Sequence, residues 1–335
     1  MEEQEYVSLI IPIYNEEHYI VNCIESLFLQ DYPSKMMEWI FVDGGSTDKT
    51  REILGKYEKQ YSELIKVLDN PYKTVPYAMN IGIDAANGEY IIRLDAHADY
   101  EKDYISKCVY YLEALDADNV GGVAETKSKG IVGNAIAKAL SSKFGVGNSS
   151  FRTEGKSGYV DTVPFGAFRR EIFNKVGRYD TRLTRNQDNE LNYRIRKNGG
   201  KIYMSDEIRF SYYCRDNIKA LSDMAMKNGK WNVITMKLCP GSMGIRHFIP
   251  LAFVLSLVFL VGMGFVFRPA WWLLLAEVLL YLLLNITFSV KLATTIKECG
   301  LLMLIFPIFH ITYGIGSLNG VVRLFSKEYR KKKED

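Results

Sequence analysis

An acid, a small residue, an imidazole and a second acid two positions on share one short stretch, Arg93-Leu94-Asp95-Ala96-His97-Ala98-Asp99. Carboxylate oxygens suit Mg2+ and Mn2+, and an imidazole tilts the choice toward Mn2+. A cation held there would grip a diphosphate and stabilise it as a leaving group. The stretch follows the apolar run Tyr90-Ile91-Ile92, so Asp95 falls where a buried strand ends and a loop begins. That edge is where open α/β sheets bind ligands. The same residues also suit a plain polar turn, with Asp99 near the start of the helix that runs from about residue 101.

The elements that must position this stretch are legible upstream. Residues 7–14 are β-branched and apolar and read as a first strand that stops near Pro12 to Asn15. Ile20, Cys23, Ile24, Leu27 and Phe28 have helical spacing. Trp39-Ile40-Phe41-Val42 is a second strand that runs into Asp43-Gly44-Gly45-Ser46-Thr47-Asp48, a tight turn and helix N-cap. Helix 50–57, strand 64–68, helix 75–86 and strand 90–94 follow. This alternation predicts a doubly wound, mostly parallel sheet. A nucleotide site suits such a sheet. The chain has no G-x-G-x-x-G opening the first helix and no G-x-x-x-x-G-K-[ST], which argues against dinucleotide and P-loop sites. Instead Asp43 and Asp95 each end a strand. Such carboxylates accept hydrogen bonds from a base N–H or ribose hydroxyls and leave a diphosphate to a metal.

The net charge of +3 is unevenly spread: from Arg246 onward there are ten Lys/Arg against five Asp/Glu. This excess sits beside three long apolar runs, 248–267, 269–290 and 301–322, where it suits anionic lipid and not nucleic acid. The five cysteines are scattered without a C-x-x-C pair, which argues against structural zinc and a disulfide framework. Residues 1–5 are acidic where a secretory signal would be basic, so the N-terminal body is expected on the cytosolic side.

Five segments then resemble one family: V-S-L-I-I-P-I-Y-N-E-E, F-V-D-G-G-S-T-D-K-T, A-M-N-I-G-I-D-A-A-N-G-E-Y-I-I-R-L-D-A-H-A, T-V-P-F-G-A-F-R-R-E-I-F-N-K-V-G-R-Y-D and N-Q-D-N-E-L-N-Y-R-I-R-K-N-G-G. In this order, across residues 6–231, they resemble glycosyltransferase family 2, inverting sugar transferases of the GT-A fold. R-L-D-A-H-A and N-Q-D-N-E-L-N-Y-R are most similar to its succinoglycan-type exopolysaccharide transferases. The resemblance implies an α/β class, a GT-A Rossmann-like mixed sheet followed by C-terminal membrane helices. It implies that Pro12, Tyr14, Glu16, Asp43, Asn80 and Asp95 surround the nucleotide of a UDP-sugar. Asp95 matches the first acid of the D-x-D metal motif, and His97 stands where the second acid is usual. Asp95 and His97 are thus the expected metal ligands, with Mn2+ favoured over Mg2+. Otherwise Asp99 contributes to the site, or His97 contacts the diphosphate directly; the plainer alternative is that His97 only caps the turn. Asp188 matches the catalytic acid of the E-D motif, with Gln187 in place of Glu. A carboxylate there takes the proton of an acceptor hydroxyl as the bond to the diphosphate breaks. Gly166, Arg169, Glu190 and Trp231 are expected on the acceptor side. Glu190 also suits an i,i+4 pair with Arg194, Arg169 a surface role and Trp231 an interfacial anchor.

The expected organisation is a cytosolic GT-A catalytic domain over 1–215, an amphipathic interfacial helix or linker over 216–245, a membrane region over 246–322 and a basic tail over 323–335. Residues 125–158, rich in Gly, Ser and Lys, read as a surface or acceptor loop. Two of the apolar runs are clear spans. Pro307 and the glycines of the third suggest a re-entrant or interfacial segment. Three full spans would put the tail, with six basic residues between Arg323 and Lys333, outside, against the positive-inside rule. The expected activity is transfer of a sugar from a UDP-sugar to a lipid-linked (polyprenyl-diphosphate) saccharide, by an integral protein of the cell membrane. Transfer to polyprenyl phosphate itself, a processive synthase and a non-catalytic membrane scaffold are the alternatives.

Overall fold

A computed structural model describes residues 5–147, 149–153 and 155–325. The chain forms two compact units, one of Met1–Glu125 with Ser150–Tyr213 and one of Thr126–Ser149 with Cys214–Asp335. The expected catalytic domain is therefore interrupted: residues 126–149 leave it for the second unit.

The first unit runs β1 (Val7–Ile13), α1 (Ile20–Phe28), β2 (Met37–Asp43), α2 (Thr50–Gln60), β3 (Ile65–Asp69), α3 (Val75–Ala85), β4 (Tyr90–Arg93), β5 (Ala98–Tyr100), α4 (Tyr104–Ala114) and β6 (Asn119–Lys127). After the second unit's α5 (Gly130–Leu140) and α6 (Lys143–Val146), the first resumes with α7 (Ser150–Thr153), β7 (Gly158–Tyr159), β8 (Ala167–Arg169), α8 (Ile172–Val176), α9 (Gln187–Lys197) and β9 (Ile202–Tyr213). The sheet order is β3-β2-β1-β4-β8-β6-β9-β5, with β7 paired to β9. β3, β2, β1 and β4 are mutually parallel, whereas β8 is antiparallel to β4 and β6, and β5 and β7 are antiparallel to β9. β1 and β2 are almost wholly apolar because both faces of the parallel part are covered. Leu9 and Ile11 enter the core that holds α1 and α4, and Ile10 enters the opposite core that holds α3.

The two edges of this sheet carry different groups. At the edge where β1 and β2 begin, Glu38 is buried and accepts hydrogen bonds from Ser8 Oγ (2.7 Å), Lys66 Nζ (2.6 Å) and Asn87 N (2.6 Å), lacing together three strands and the turn into β4. The opposite edge, where β1, β2 and β4 end, carries Tyr14, Asp43 and Asp95.

The second unit contains α5, α6, α10 (Ile218–Leu238), α11 (Ile249–Gly264), α12 (Pro269–Leu292) and α13 (Ile296–Leu324). Among the described residues three helices are long and apolar enough to cross a membrane: Ile245–Gly264, which extends α11 by a short 3-10 turn, α12 and α13. Most of the 125–158 segment expected as a loop is helical, because Ala135, Ile136, Ala139 and Leu140 of α5 have an apolar partner in Leu302, Ile305, Phe306 and Phe309 of α13. Pro307 does not interrupt α13. Proline lacks the N–H that would bond the carbonyl four residues back, and the Asn285 side-chain amide donates to that carbonyl, Met303 O, at 2.9 Å. Residues 326–335 of the basic tail lie outside the described residues.

Candidate active site

The turns after β1 and β2 are stitched into one rim. Asn15, in a left-handed conformation (φ 55°), donates its backbone N–H to Ser46 Oγ (2.9 Å) and accepts from Thr47 N (2.8 Å) through its side chain. Glu16 N donates to Thr50 Oγ1 (2.8 Å). Asp43, buried at the end of β2, accepts from Ser46 N (3.1 Å) and Ser46 Oγ (2.6 Å) and lies 3.8 Å from Arg51. Beside Gly44, Tyr14 is half exposed.

The centre of the site is a residue that the motifs did not single out. Arg93, the last residue of β4, is only 5 % exposed, and its Nη1 donates to Asp188 Oδ1. Its Nη2 lies 3.9 Å from Asp95 Oδ1, and its guanidinium lies over the Phe165 ring, 5.6 Å from the centroid. Burial lowers the pKa of Arg93, but the Asp188 and Asp95 carboxylates more than reverse that and raise it, so the cation persists. One guanidinium thus faces both the expected metal ligand and the expected base. The sequence carried one signal for it, an arginine ending an otherwise apolar buried strand, which is stable only with acidic partners. The buried Tyr179 hydroxyl lies against the Arg93 guanidinium. Burial and then Asp188 raise the Tyr179 pKa.

Asp95 is held by its backbone. Its N–H donates to the Tyr100 hydroxyl oxygen at 2.7 Å, and that hydroxyl donates to Asp95 O at 3.3 Å. His97 Nδ1 faces Glu16 Oε1 at 3.4 Å. Asp99 Oδ2 accepts from the Tyr213 hydroxyl at 2.8 Å. Burial, and then the charges of Asp95, Asp99 and Glu16, raise the pKa of the Cys23 thiol. Among the described residues no three His, Cys, Asp or Glu side chains converge into a closed metal cage. The donors present, one partly exposed carboxylate with an imidazole and a second carboxylate beside it, fit a divalent cation that takes its other ligands from a diphosphate and water.

Asp188 lies in the first turn of α9, where the helix dipole favours a carboxylate, after Asn186 in a left-handed conformation (φ 62°). A buried chain of amides seats this helix: Asn119 Nδ2 donates to Asn192 Oδ1 (2.6 Å), and Asn192 Nδ2 to Thr162 Oγ1 (2.8 Å).

Other expected residues are placed differently. Asn80 clamps the backbone of Tyr179 in both directions, at 2.9 and 3.0 Å, so its amide holds a loop. Pro12 lies within β1, opposite Val42. Glu190 is buried with both oxygens on the Arg194 guanidinium, at 2.6 and 2.8 Å, the i,i+4 pair that the spacing allowed. Arg169 sits at the other edge of the sheet. Antiparallel pairing sets it opposite Tyr90, at the end of β4 remote from Asp95. There it donates to Ala117 O (3.2 Å) and to Leu112 O (2.8 Å), a late carbonyl of α4. Gly166 is at the site edge, where its carbonyl accepts from Arg93 N at 3.0 Å. A Cβ on it would lie 2.3 Å from Asn119 Oδ1, so its smallness serves packing within the protein. Trp231 lies on α10 in the second unit, half-buried.

The glycosyl transferase family 2 model matches residues 8–177. The chain belongs to glycosyltransferase family 2. Over 328 residues it is 28% identical to dolichyl N-acetyl-alpha-D-glucosaminyl phosphate 3-beta-D-2,3-diacetamido-2,3-dideoxy-beta-D-glucuronosyltransferase of Methanococcus voltae, covering 95% of this chain and 98% of that one. It is 32% identical over 246 residues to the succinoglycan biosynthesis protein ExoA of Rhizobium meliloti, covering 73% and 74%. Among solved structures it resembles the mannosyltransferase PcManGT from Pyrobaculum calidifontis in complex with GDP-Man and Mn2+ (TM-score 0.63, 16% identity, 95% and 88% covered). S. aureus TarS 1-349 in complex with UDP is also similar (TM-score 0.50, 17% identity, 94% and 90% covered). The fold is that of GT-A glycosyltransferases. This family 2 enzyme couples it to long apolar C-terminal helices that suggest membrane association.

Proposed function

We propose that the protein transfers one sugar, with inversion, from a UDP-sugar to a lipid-linked saccharide at the cytosolic face of the membrane. The observation that carries this reading is Arg93 between Asp95 and Asp188, which brings a diphosphate-side acid and a base-side acid to one cation. The acceptor hydroxyl oxygen forms the new bond at C1 as the bond from C1 to the diphosphate breaks. The electron pair leaves with UDP, and Asp188 takes the hydroxyl proton. One base and no protein nucleophile make a single displacement, which inverts C1. Asp95 and His97, with Glu16 alongside, would hold a divalent cation, and such a cation supplies positive charge to the departing diphosphate. Asp43 and Tyr14 would receive the base and ribose on the rim.

The lipid-linked acceptor is supported by the apolar helices, since a membrane-tethered enzyme meets a membrane-tethered acceptor at high effective concentration. It is supported also by the relative from Methanococcus voltae, named for a dolichyl-phosphate-linked sugar.

The test is UDP release by the detergent-purified full chain across a panel of UDP-sugars. It is run with Mn2+, Mg2+ or chelator and with membrane lipid extract, beside Asp95→Ala and Asp188→Asn. Metal-dependent release from one donor, lost in both variants, is expected. Absence of release with every donor and of UDP binding would sink the proposal and favour a scaffold role.

A further inference from the structure

The path of α13 relative to its neighbours decides how many times the chain crosses the bilayer. α10 lies beside α13 along most of its length. Leu221 and Ala225 share an apolar cluster with Leu302, Ile305, Phe306 and Phe309. Farther on, a Cβ on Gly316 would lie 2.2 Å from Met226 O, and one on Gly320 2.6 Å from Lys230 O. Asn232 Nδ2 donates to the Tyr313 hydroxyl. The two helices therefore run in parallel at backbone contact. On the face of α10 turned away from this contact, Lys219, Asp223 and Lys227 recur every fourth residue and are exposed, as is Lys237. If α13 ran through the hydrocarbon, it would carry these charges with it. Each costs about 3 kcal/mol near the bilayer centre.

The contacts of α13 with α11 and α12 agree. α11 and α12 form an antiparallel hairpin: Phe253 stacks on Tyr281 at 4.8 Å, Ser256 donates to Glu277, and a Cβ on Gly264 would lie 2.4 Å from Trp271. On this pairing Pro250 stands level with about residue 284. α13 meets α12 where Met303 O accepts from Asn285, and meets α11 where a Cβ on Gly314 would lie 2.4 Å from Pro250 O. These two points are at the same level of the hairpin, yet about 16 Å apart along α13. So α13 crosses the base of the hairpin and does not run along it. Beyond that base α11 extends for about 21 Å, most of the hydrocarbon thickness, to an exposed Phe265, Val266, Phe267 and Trp272. Leu304, Ile311, Ile315 and Val322 leave one apolar stripe of α13 uncovered.

We infer that only α11 and α12 cross the bilayer. α13 lies in the plane of the interface beneath α10, with its uncovered stripe against the acyl chains. The chain before α11 and the end of α13 then share one face, where Arg323 meets anionic headgroups. The test uses the full chain in phosphatidylethanolamine–phosphatidylglycerol vesicles. Fluorophores at Leu304→Cys, Ile311→Cys and Val322→Cys, with the native cysteines replaced, are read for depth by brominated lipids. Wild-type chains tagged at either terminus are read for antibody access in sealed vesicles. One shared shallow depth, and both tags on the same face, are expected. A depth profile deepest at Ile311, or tags on opposite faces, would overturn the inference and make α13 a third span.

Discussion

Arg93 and Asp188 lie 95 positions apart in the chain and are joined by a hydrogen bond from Nη1 to Oδ1. The same guanidinium lies within 4 Å of Asp95, so the proposed base and the proposed diphosphate-side acid share one side chain. With Asp188 as the base, Asp188→Asn keeps the volume and a hydrogen-bond acceptor for Arg93 but cannot take a proton. Turnover should fall about 10²–10⁴-fold, with UDP-sugar affinity changed only a few-fold. UDP release and equilibrium dialysis on the same preparation separate the two effects.

Arg93→Lys keeps the charge and loses the planar fork that faces two carboxylates. Its kcat should fall at least about tenfold, with a small change in KM for the donor, because positioning of the base is what is lost. Arg93→Met leaves Asp95 and Asp188 without their cation and should also lower Tm clearly. If Arg93→Lys lowered Tm as far as Arg93→Met and left kcat untouched, the arginine would be structural only.

Arg169 and Glu190 should behave as structural residues. Arg169→Ala removes donors to two carbonyls at the end of α4, and Glu190→Gln weakens a bidentate pair with Arg194. Each should lower stability by about 1–3 kcal/mol and leave kcat/KM of the remaining folded enzyme within a few-fold. Denaturant titration and steady-state kinetics on the two variants check this. A large loss of kcat/KM at full stability would return either residue to the acceptor side.

Glu38 sets an acid limit on stability. Burial alone would raise its pKa, but hydrogen bonds from Lys66, Asn87 N and Ser8 outweigh burial and lower it from the ordinary 4.5. A carboxylate with a lowered folded pKa stabilises fully above the unfolded value, and that contribution disappears as pH falls through the folded one. Glu38→Gln should therefore cost about 1–3 kcal/mol at neutral pH, and the gap between variant and wild type should narrow on acidification below about pH 4.5. Thermal melts across pH measure it.

Much of this was readable in the chain because the signals are local. Alternating apolar strands and helices, two acids at strand ends and three long apolar runs depend on residues near one another in sequence. They specify the parallel half of the sheet, the edge that carries Asp43 and Asp95, and the long apolar helices. What the tertiary structure decided depends on pairing between distant segments. Antiparallel pairing of β8 with β4 puts Gly166 beside Arg93 and sends Arg169 to the far edge. α9 brings Asp188 to Arg93, and the turn after β1 brings Glu16 to His97. The apolar stripe of α10, which by itself suits a lipid surface, is covered by α13. Periodicity says that a face must be buried, and only the fold says against what.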